Sequence, residues 1–172
     1  MANHPYVKLA ILAVRHFLSE RKPLPCPSPV PNGLKCRSGA FISIKKKTSC
    51  ELRGCIGTVT PNQDNLAKEI IQNAVNAATR DPRFKSVTKE ELDQLRFSVD
   101  VIGSMELINN PEQLNPRQYG LSIKYKEHHG ILLPDLEGID TVQRQIELCL
   151  KKGKIPRNER YQMYRFEVNR YH

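Results

Sequence analysis

The chain has 172 residues, of which 39% are hydrophobic and 26% are charged, and its formal net charge at pH 7 is +9. This composition excludes wholesale disorder, and the length allows one compact unit or two small lobes around an apolar core. Apolar runs such as residues 131–133 fall far below the roughly 20 residues of a membrane helix, and residues 1–10 lack a signal-peptide core. We therefore expect a cytoplasmic protein.

The cysteines predict neither a disulfide framework nor a zinc site. Their number is odd, they form no C-x-x-C pair, and no histidine cluster accompanies them. They are Cys26, Cys36, Cys50, Cys55 and Cys149. We expect free thiols and no metal, with Cys149 in the core because of its helical spacing to Val142 and Ile146. The sequence identifies no cofactor.

The positive charge is concentrated in residues 1–60, which hold ten Lys/Arg and two acidic residues. Lys45, Lys46 and Lys47 are candidates for binding phosphate, nucleic acid or an acidic partner. A solvated lysine-rich turn is the simpler interpretation, since surface charge commonly serves solubility. Nucleic-acid binding ranks last among the functions considered, because only 6% of the residues are aromatic and there is no tryptophan.

The first third of the chain predicts a helix followed by a hairpin. Apolar residues three to four positions apart predict an amphipathic helix over residues 5–20. Five prolines in residues 22–31 predict an extended surface connector. Alternation over residues 39–47 predicts a strand, and a turn at 48–51 leads into a second strand over 52–59.

A second helix is predicted to begin with Asp64 as its N-cap and to end at "RDPRF", residues 80–84. Its apolar stripe comprises Leu66, Ile70, Ala74, Ala77 and Ala78. Thr88 and Glu91 form a capping box, which predicts a further short helix. Alternation over residues 96–103 predicts the strand that follows.

The C-terminal half predicts a hairpin, a helix and a final strand. Residues 120–126 and 131–133 are expected to pair, with "HHG", residues 128–130, as their turn. Asp140 is placed to cap the helix, and residues 163–168 alternate as a strand. Because helices and strands interleave while at least two strand pairs form hairpins, we predict an α+β fold with mixed or antiparallel sheets, not a doubly wound parallel sheet.

The stretch "ELRGCIGTVTP", residues 51–61, combines an arginine, a cysteine and two glycines within five positions. In an extended strand Arg53 and Cys55 face the same side. A cation beside the thiol would favour the nucleophilic thiolate, and the glycines would admit a ligand or another backbone. Alternatively, Arg53 would clamp a carboxylate or phosphate. Each version predicts a small anionic molecule near Cys55.

A purely structural role for this stretch stays open. Free cysteine is often buried, and glycine in a strand often marks a bulge. Arg53 would then be an ion-pair anchor, and its candidate partners are Glu51, Asp81 and Asp100. A catalytic Cys–His pair would require His128 or His129 within about 2.6–3.2 Å of the thiol.

Two neighbouring segments are candidates for the same site. Asp81 and Arg83 in "RDPRF" would bind a ligand at a helix end, or would serve as a turn and salt-bridge anchor. Asn73 and Asn76 are polar residues close to an apolar helix face and are predicted to hydrogen-bond the backbone of residues 52–57.

Four ordered landmarks resemble the AMMECR domain family and cover nearly the whole chain. They are "GAFISI", "ELRGCIGTVTP", "AATRDPRF" with "EEL", and "GILLPDLEGIDTVQRQI". The hexapeptide "LRGCIG", residues 52–57, is the hallmark of that family, and "LLPDLEG" resembles its bacterial branch. The resemblance implies a single domain over residues 1–172, built of two closely packed lobes with a cleft near the hexapeptide, and a family of unsettled biochemical activity.

The candidate site therefore centres on the hexapeptide. Its catalytic candidates are Arg53 and Cys55, and its binding candidates are Leu52, Gly54, Ile56, Gly57, Asn73, Asp81 and Arg83. The resemblance also implies partners in a shared pathway, namely a Memo-like protein related to class III extradiol dioxygenases and a radical-SAM enzyme. The leading hypothesis is an enzyme or enzyme subunit with a small anionic substrate. The alternative is a non-catalytic adaptor or substrate carrier for those partners.

Overall fold

The computed structural model describes residues 4–172, which form three α-helices and eight β-strands. The helices are α1 (Pro5–Glu20), α2 (Leu66–Thr79) and α3 (Val142–Gly153). The strands are β1 (Ala40–Lys46), β2 (Leu52–Gly57), β3 (Leu95–Ile102), β4 (Glu106–Ile108), β5 (Gly120–Tyr125), β6 (His128–Leu132), β7 (Gln162–Phe166) and β8 (Val168–Tyr171). Residues 1–3, part of the segment considered for a signal peptide, lie outside the described residues. No helix within residues 4–172 has the length and hydropathy to cross a bilayer.

The strands form two four-stranded sheets, with orders β2-β1-β3-β8 and β4-β7-β5-β6. Strand β1 pairs antiparallel with β2 and with β3 in the first sheet. In the second sheet the pairs β4–β7, β5–β7 and β5–β6 are antiparallel. The predicted α+β class is therefore confirmed, and both predicted hairpins form. The five cysteines are free, as expected.

Within the described residues, the first compact unit comprises residues 4–102 and 169–172. Its core lies between the β2-β1-β3-β8 sheet and helices α1 and α2. Ile42 and Ile44 of β1 project into this core and are fully buried, and Ile70 on the predicted stripe of α2 meets them there. By strand alternation, Ser43 and the residues beside it lie on the opposite face of the sheet.

The second compact unit comprises residues 103–168. Helix α3 packs on β5 and β6, and Leu121, Ile123, Cys149 and Leu150 are buried between them. Cys149 is fully buried, so its predicted core position is confirmed, and burial raises the pKa of its thiol to about 12. The grouping of both units into one domain stays a prediction.

A glycine on the edge strand of each sheet lets a helix backbone approach. A Cβ placed on Gly54 in β2 would lie 2.2 Å from the Ala77 carbonyl oxygen, and one on Gly130 in β6 would lie 2.0 Å from that of Cys149. Both distances are far inside van der Waals contact, so these packings require glycine. At Gly54 the group that approaches closely is therefore the backbone of α2.

Two of the three predicted helix caps are off by one residue. Asn65, not Asp64, caps α2 through Oδ1, which accepts the Lys68 N–H at 2.9 Å. Thr141, not Asp140, caps α3 by the same geometry. Asp, Asn and Thr all suit an N-cap, so neighbouring candidates cannot be ranked by residue type alone.

Three predicted element boundaries are wrong for local reasons. The histidines of "HHG" lie in β6, because Tyr125 pairs directly with His128 and the turn is residues 126–127, with Lys126 at φ 50°. The Thr88–Glu91 capping box is present, yet only one 3-10 turn follows it before β3 begins at Leu95. The single strand predicted over 163–168 is two strands in different sheets, β7 and β8.

Candidate functional site

A β-bulge at Arg53 interrupts the hexapeptide strand. Cys55 pairs with Ser43 and Gly54 with Ile44, but the next pairing is Leu52 with Lys45, so Arg53 has no opposite residue. A bulge breaks the alternation of side chains and redirects the extra residue. The predicted common face of Arg53 and Cys55 rested on unbroken alternation, which the strand does not have.

The Arg53 guanidinium is an internal anchor. Its Nε and Nη2 donate to the two carboxylate oxygens of Glu91 at 2.9 and 3.0 Å, and its Nη1 donates to the Lys85 carbonyl at 2.7 Å. A further contact joins Nη2 to the Ser86 carbonyl at 3.4 Å. The side chain is 12% exposed. Such a bidentate pair holds the 85–91 segment against the bulge and lowers the pKa of Glu91.

The acidic partners proposed for Arg53 were wrong. Glu51 pairs with Lys46, Asp81 pairs with Arg83, and Asp100 pairs with Arg170. The sequence signal for the true partner was the capping box, because Glu91 uses the same carboxylate for the Thr88 N–H and for Arg53.

Asp81 and Arg83 bind the backbone of Cys55 at the free edge of β2. Asp81 Oδ2 accepts the Cys55 N–H at 2.9 Å, and Arg83 Nη2 donates to the Cys55 carbonyl at 3.3 Å. Edge strands expose such unpaired groups, and here the "RDPRF" segment satisfies them. The predicted proximity of these two residues to the hexapeptide is therefore observed, whereas any ligand contact by them stays a prediction.

The Asp81–Arg83 pair is itself strongly hydrogen-bonded. Asp81 accepts Arg83 Nε at 2.9 Å, Nη2 at 2.7 Å and the backbone N–H at 3.1 Å. The Arg83 guanidinium, followed by the Cys55 N–H, holds the pKa of the Asp81 carboxyl well below its usual range. The same contact raises the pKa of Arg83, and a Cys55 thiolate raises it further. Arg83, not Arg53, is thus the cation that contacts Cys55, through its backbone carbonyl.

The Cys55 side chain lies beside a serine hydroxyl. Its Sγ is 3.3 Å from the Oγ of Ser43, with either atom able to donate. Because the polar backbone groups of Cys55 point to the edge, Ser43 and Cys55 form a non-hydrogen-bonded pair, in which side chains approach closely. Ser43 also pairs with Ser98 of β3. The face of the sheet away from the helices therefore carries a row of Cys55, Ser43 and Ser98, all partly buried.

Asn73 belongs to a different network. Its Nδ2 donates to the Ala40 carbonyl at 3.0 Å, to Glu69 at 3.1 Å and to Thr58 at 3.3 Å. The buried Glu69 carboxylate also accepts the Thr58 hydroxyl and the N–H groups of Asn62 and Gln63. The predicted bonds from Asn73 to the hexapeptide backbone were wrong, because the side chain reaches the neighbouring strand β1 and the loop after β2.

Asn76, like Asn73, has a hydrogen bond outside the hexapeptide, because its Oδ1 accepts from Gln72 Nε2 at 3.2 Å. The remaining predicted residues have mainly packing contacts. Ile56 packs against the core of the first unit, and Gly57 lies opposite Phe41, whose backbone leaves no room for a Cβ. Leu52 is partly buried opposite Lys45.

The two histidines make hydrogen bonds within their own unit. His129 Nε2 lies 2.7 Å from the Ser122 hydroxyl, and His128 Nδ1 lies 3.2 Å from the Gly153 carbonyl. Desolvation, with a smaller effect of Lys124, lowers the pKa of His129. The Cys–His pair considered from the sequence therefore has no support from these contacts.

Two of the three clustered lysines are engaged by the chain itself. Lys46 pairs with Glu51 at 2.9 Å, and Lys47 donates to the Asp93 carbonyl at 2.7 Å. Only Lys45 of this cluster keeps its ammonium free within the described residues. Across residues 4–172 no group of three His, Cys, Asp or Glu is arranged to hold a metal.

Comparisons with known proteins identify relatives over the full described length. The profile of the AMMECR1 family matches residues 7–171. A Thermotoga maritima protein is 41% identical over 173 residues, covering 99% of both chains. A Clostridium acetobutylicum protein is also 41% identical, over 97% of this chain, but this chain spans only 36% of it.

A solved structure matches the fold as well. The crystal structure of the uncharacterized protein PH0010 from Pyrococcus horikoshii superposes with a TM-score of 0.86 at 28% identity. The match covers 96% of this chain and 88% of that one. The chain therefore belongs to the AMMECR1 family.

Proposed function

We propose that this AMMECR1-family chain binds a small anionic molecule beside Cys55 and presents the Cys55 thiolate as its reactive group. It would act as a cytoplasmic enzyme, or as the enzyme-like subunit of a pathway with Memo-like and radical-SAM proteins. The observation that carries the proposal is the 3.3 Å contact between Cys55 Sγ and Ser43 Oγ, next to the peptide unit held by Arg83. A cleft at this position is part of the proposal.

The charge of Arg83 supports an anionic ligand. Its side chain is 55% exposed, whereas the side chain of its partner Asp81 is 3% exposed. The hydrogen bonds that Arg83 makes within residues 4–172 use Nε and Nη2, so Nη1 keeps two donors for a ligand. A guanidinium in this arrangement suits a carboxylate or phosphate.

The Ser43 hydroxyl supports thiol chemistry. The thiolate is the nucleophilic form of cysteine, and a hydrogen bond donated to it stabilises the anion. Ser43 reaches Sγ from the neighbouring strand, so the donor is held by the sheet itself. Cys55 is partly exposed, which an attacking group requires.

A second candidate is the non-catalytic adaptor or substrate carrier. It is favoured by the way Arg53, Gly54 and Asp81 all serve internal contacts. In that case the hexapeptide is a rigid structural hairpin, and partner recognition depends on other surfaces. A Cys55→Ala protein that still supports the activity of its partner proteins would favour this candidate.

The test is mass-resolved alkylation of Cys55 in the native protein with two reagents of similar size. Iodoacetate is anionic and iodoacetamide is neutral, so the ratio of their rates measures local charge. We expect this ratio to exceed that of N-acetylcysteinamide, an uncharged reference thiol, and to fall about fivefold in Arg83→Gln, since two charges about 4 Å apart in water interact by about 1 kcal/mol. Arg117→Gln, which alters an exposed arginine of the other unit, is the matched control.

The rate of the neutral reagent alone tests the role of Ser43. We expect Ser43→Ala to slow the reaction of Cys55 with iodoacetamide, because the variant removes the hydroxyl that lies 3.3 Å from Sγ. Cys55 that remains unmodified until urea unfolds the protein would overturn the enzymatic proposal and leave the adaptor.

A further inference from the structure

The second unit contains a concavity on the exposed side of α3, which we call the α3 pocket. It has a volume of about 340 Å³ and is lined by Arg144, Glu147, Leu148, Leu150, Lys151, Ile155 and Arg157. This volume is at the lower end of the range for small-molecule sites, about 300–1,000 Å³. None of its residues belongs to the Cys55 site.

The pocket results from the way α3 ends. Arg144, Glu147 and Lys151 are spaced three and four positions apart, so they share one helical face. Lys154 ends the helix in a left-handed conformation (φ 53°), and the N–H of Ile155 donates back to the Leu150 carbonyl at 2.9 Å. The chain therefore reverses along the helix, as at a Schellman-type cap.

The floor of the pocket is apolar and its rim is charged. Leu150 and Ile155 are 4% and 5% exposed, and Leu148 is partly buried. Above them Arg144 and Arg157 lie on either side of Glu147, with Lys151 one turn further along the helix. Three cations and one carboxylate leave a net charge of +2 over an apolar surface.

The two arginines are only loosely paired. Their nitrogens lie 3.6 and 3.4 Å from the Glu147 oxygens, whereas Arg165 reaches Glu106 at 2.8 Å in the same unit. Distances beyond about 3.2 Å are long for a charge-assisted hydrogen bond. Within residues 4–172, the guanidinium donors of Arg144 and Arg157 are thus not engaged in such bonds.

We infer that the α3 pocket binds a small organic anion, a carboxylate or phosphate monoester that carries an apolar group. The anionic group would replace Glu147 as the partner of the two guanidinium groups, which match oxyanions in a bidentate manner. The apolar group would cover Leu148 and Ile155. The ligand needs both the anionic group and the apolar group. Solvent anions could neutralise the arginines without covering the apolar floor, and a neutral apolar solute could cover the floor without pairing with the arginines.

The experiment measures binding to the full chain at low ionic strength by ¹⁵N chemical shifts of residues 142–157. Phenyl phosphate and benzoate are the probes, and inorganic phosphate and benzyl alcohol each lack one of the two required parts. We expect phenyl phosphate or benzoate to bind at least about tenfold more tightly than either control. Benzyl alcohol lacks the charge-assisted contact and inorganic phosphate lacks the buried phenyl surface, and each of these corresponds to roughly that factor. The tighter of the two probes identifies the anionic group.

Charge variants make the inference falsifiable without loss of fold. Arg144→Gln and Arg157→Gln should each weaken binding of the tighter probe about tenfold, and Glu147→Gln should strengthen it, because it removes the competing carboxylate. Arg117→Gln alters another exposed arginine of the same unit, which lies 3.6 Å from its partner Asp140, and it should change nothing. The inference would be overturned if the probes bound no more tightly than inorganic phosphate and benzyl alcohol. It would also be overturned if Arg144→Gln, Arg157→Gln and the control Arg117→Gln changed probe binding equally. Cys55→Ala should leave probe binding unchanged, so this result is independent of the Cys55 proposal.

Discussion

The carboxylate of Asp81 accepts the backbone N–H of Cys55 at 2.9 Å while it holds the Arg83 guanidinium that binds the Cys55 carbonyl. One ion pair therefore takes the place of a neighbouring strand at the edge of β2. Because Asp81 is buried and its partners include a backbone group, its loss leaves a donor unsatisfied as well as a charge unpaired.

Asp81→Ala should destabilise the protein by about 1–3 kcal/mol, chiefly the cost of leaving the partly buried Cys55 N–H without its acceptor. The measurement is the free energy of unfolding in urea. Asp64→Ala is the matched control, because Asp64 is 82% exposed and pairs only with Lys68. It should cost no more than about 0.5 kcal/mol. Equal losses in the two variants would contradict the role assigned to Asp81.

Stability should fall as the pH is lowered through the acidic range. The pKa of Asp81 is below its ordinary 3.8 in the folded state, mainly because of Arg83, and that of Glu91 is lowered by Arg53. A depressed folded pKa contributes stability above the unfolded pKa, and this stability is lost as the pH falls toward the folded pKa. The urea midpoint should therefore stay level at neutral pH and decline below about pH 4.5. In Asp81→Asn the decline should be shallower, and an unchanged slope would argue against this carboxyl.

Gly54→Ala should cost about 3 kcal/mol, because a Cβ at this position meets the Ala77 carbonyl at 2.2 Å and α2 must move. Gly138→Ala is the control, because it measures the cost of a backbone conformation that favours glycine without a steric clash. Gly138 has φ +77°, and no heavy atom lies within 4 Å of the position that an added Cβ would occupy, so this change should cost only about 1 kcal/mol. Comparable unfolding free energies for the two variants would show that the close helix approach is not limiting.

The Arg53–Glu91 pair should show a coupling of about 1–2 kcal/mol in a double-mutant cycle of alanine variants, as expected for a bidentate pair with one largely buried member. The Lys46–Glu51 pair, which has a similar 2.9 Å contact but two exposed side chains, is the control cycle. Its coupling should not exceed about 0.5 kcal/mol. A coupling near zero for Arg53–Glu91 would contradict its role as the anchor of the bulge.

Cys149 should be inert to iodoacetamide in the native protein at pH 8, because burial raises its pKa to about 12 and encloses the side chain. Cys36 and Cys50, which are exposed, should be modified under the same conditions and serve as internal controls. Mass-resolved peptide mapping before and after unfolding in urea gives both rates. Modification of Cys149 at the rate of Cys36 would mean that α3 opens readily.

Local patterns in the sequence predicted much of the fold. Helices α1, α2 and α3 follow from apolar spacing, and the β1–β2 hairpin follows from alternation on each side of a short turn. The predicted strand boundaries were wrong where the conformation of a single residue decides the position of a turn. Placing the second hairpin's turn at residues 126–127 depends on Lys126 adopting a positive φ, which its residue type does not favour.

The sequence by itself determined the family, the α+β class and the segments that surround Cys55, because these depend on periodicity and on a motif read along the chain. Only the tertiary structure decided which arginine contacts Cys55. The bulge at Arg53 is a property of the register between β1 and β2, and it directs Arg53 to Glu91. Arg83 reaches Cys55 only because α2 returns the chain to the edge of β2. Partners distant in sequence are selected by register and packing, which no local pattern specifies.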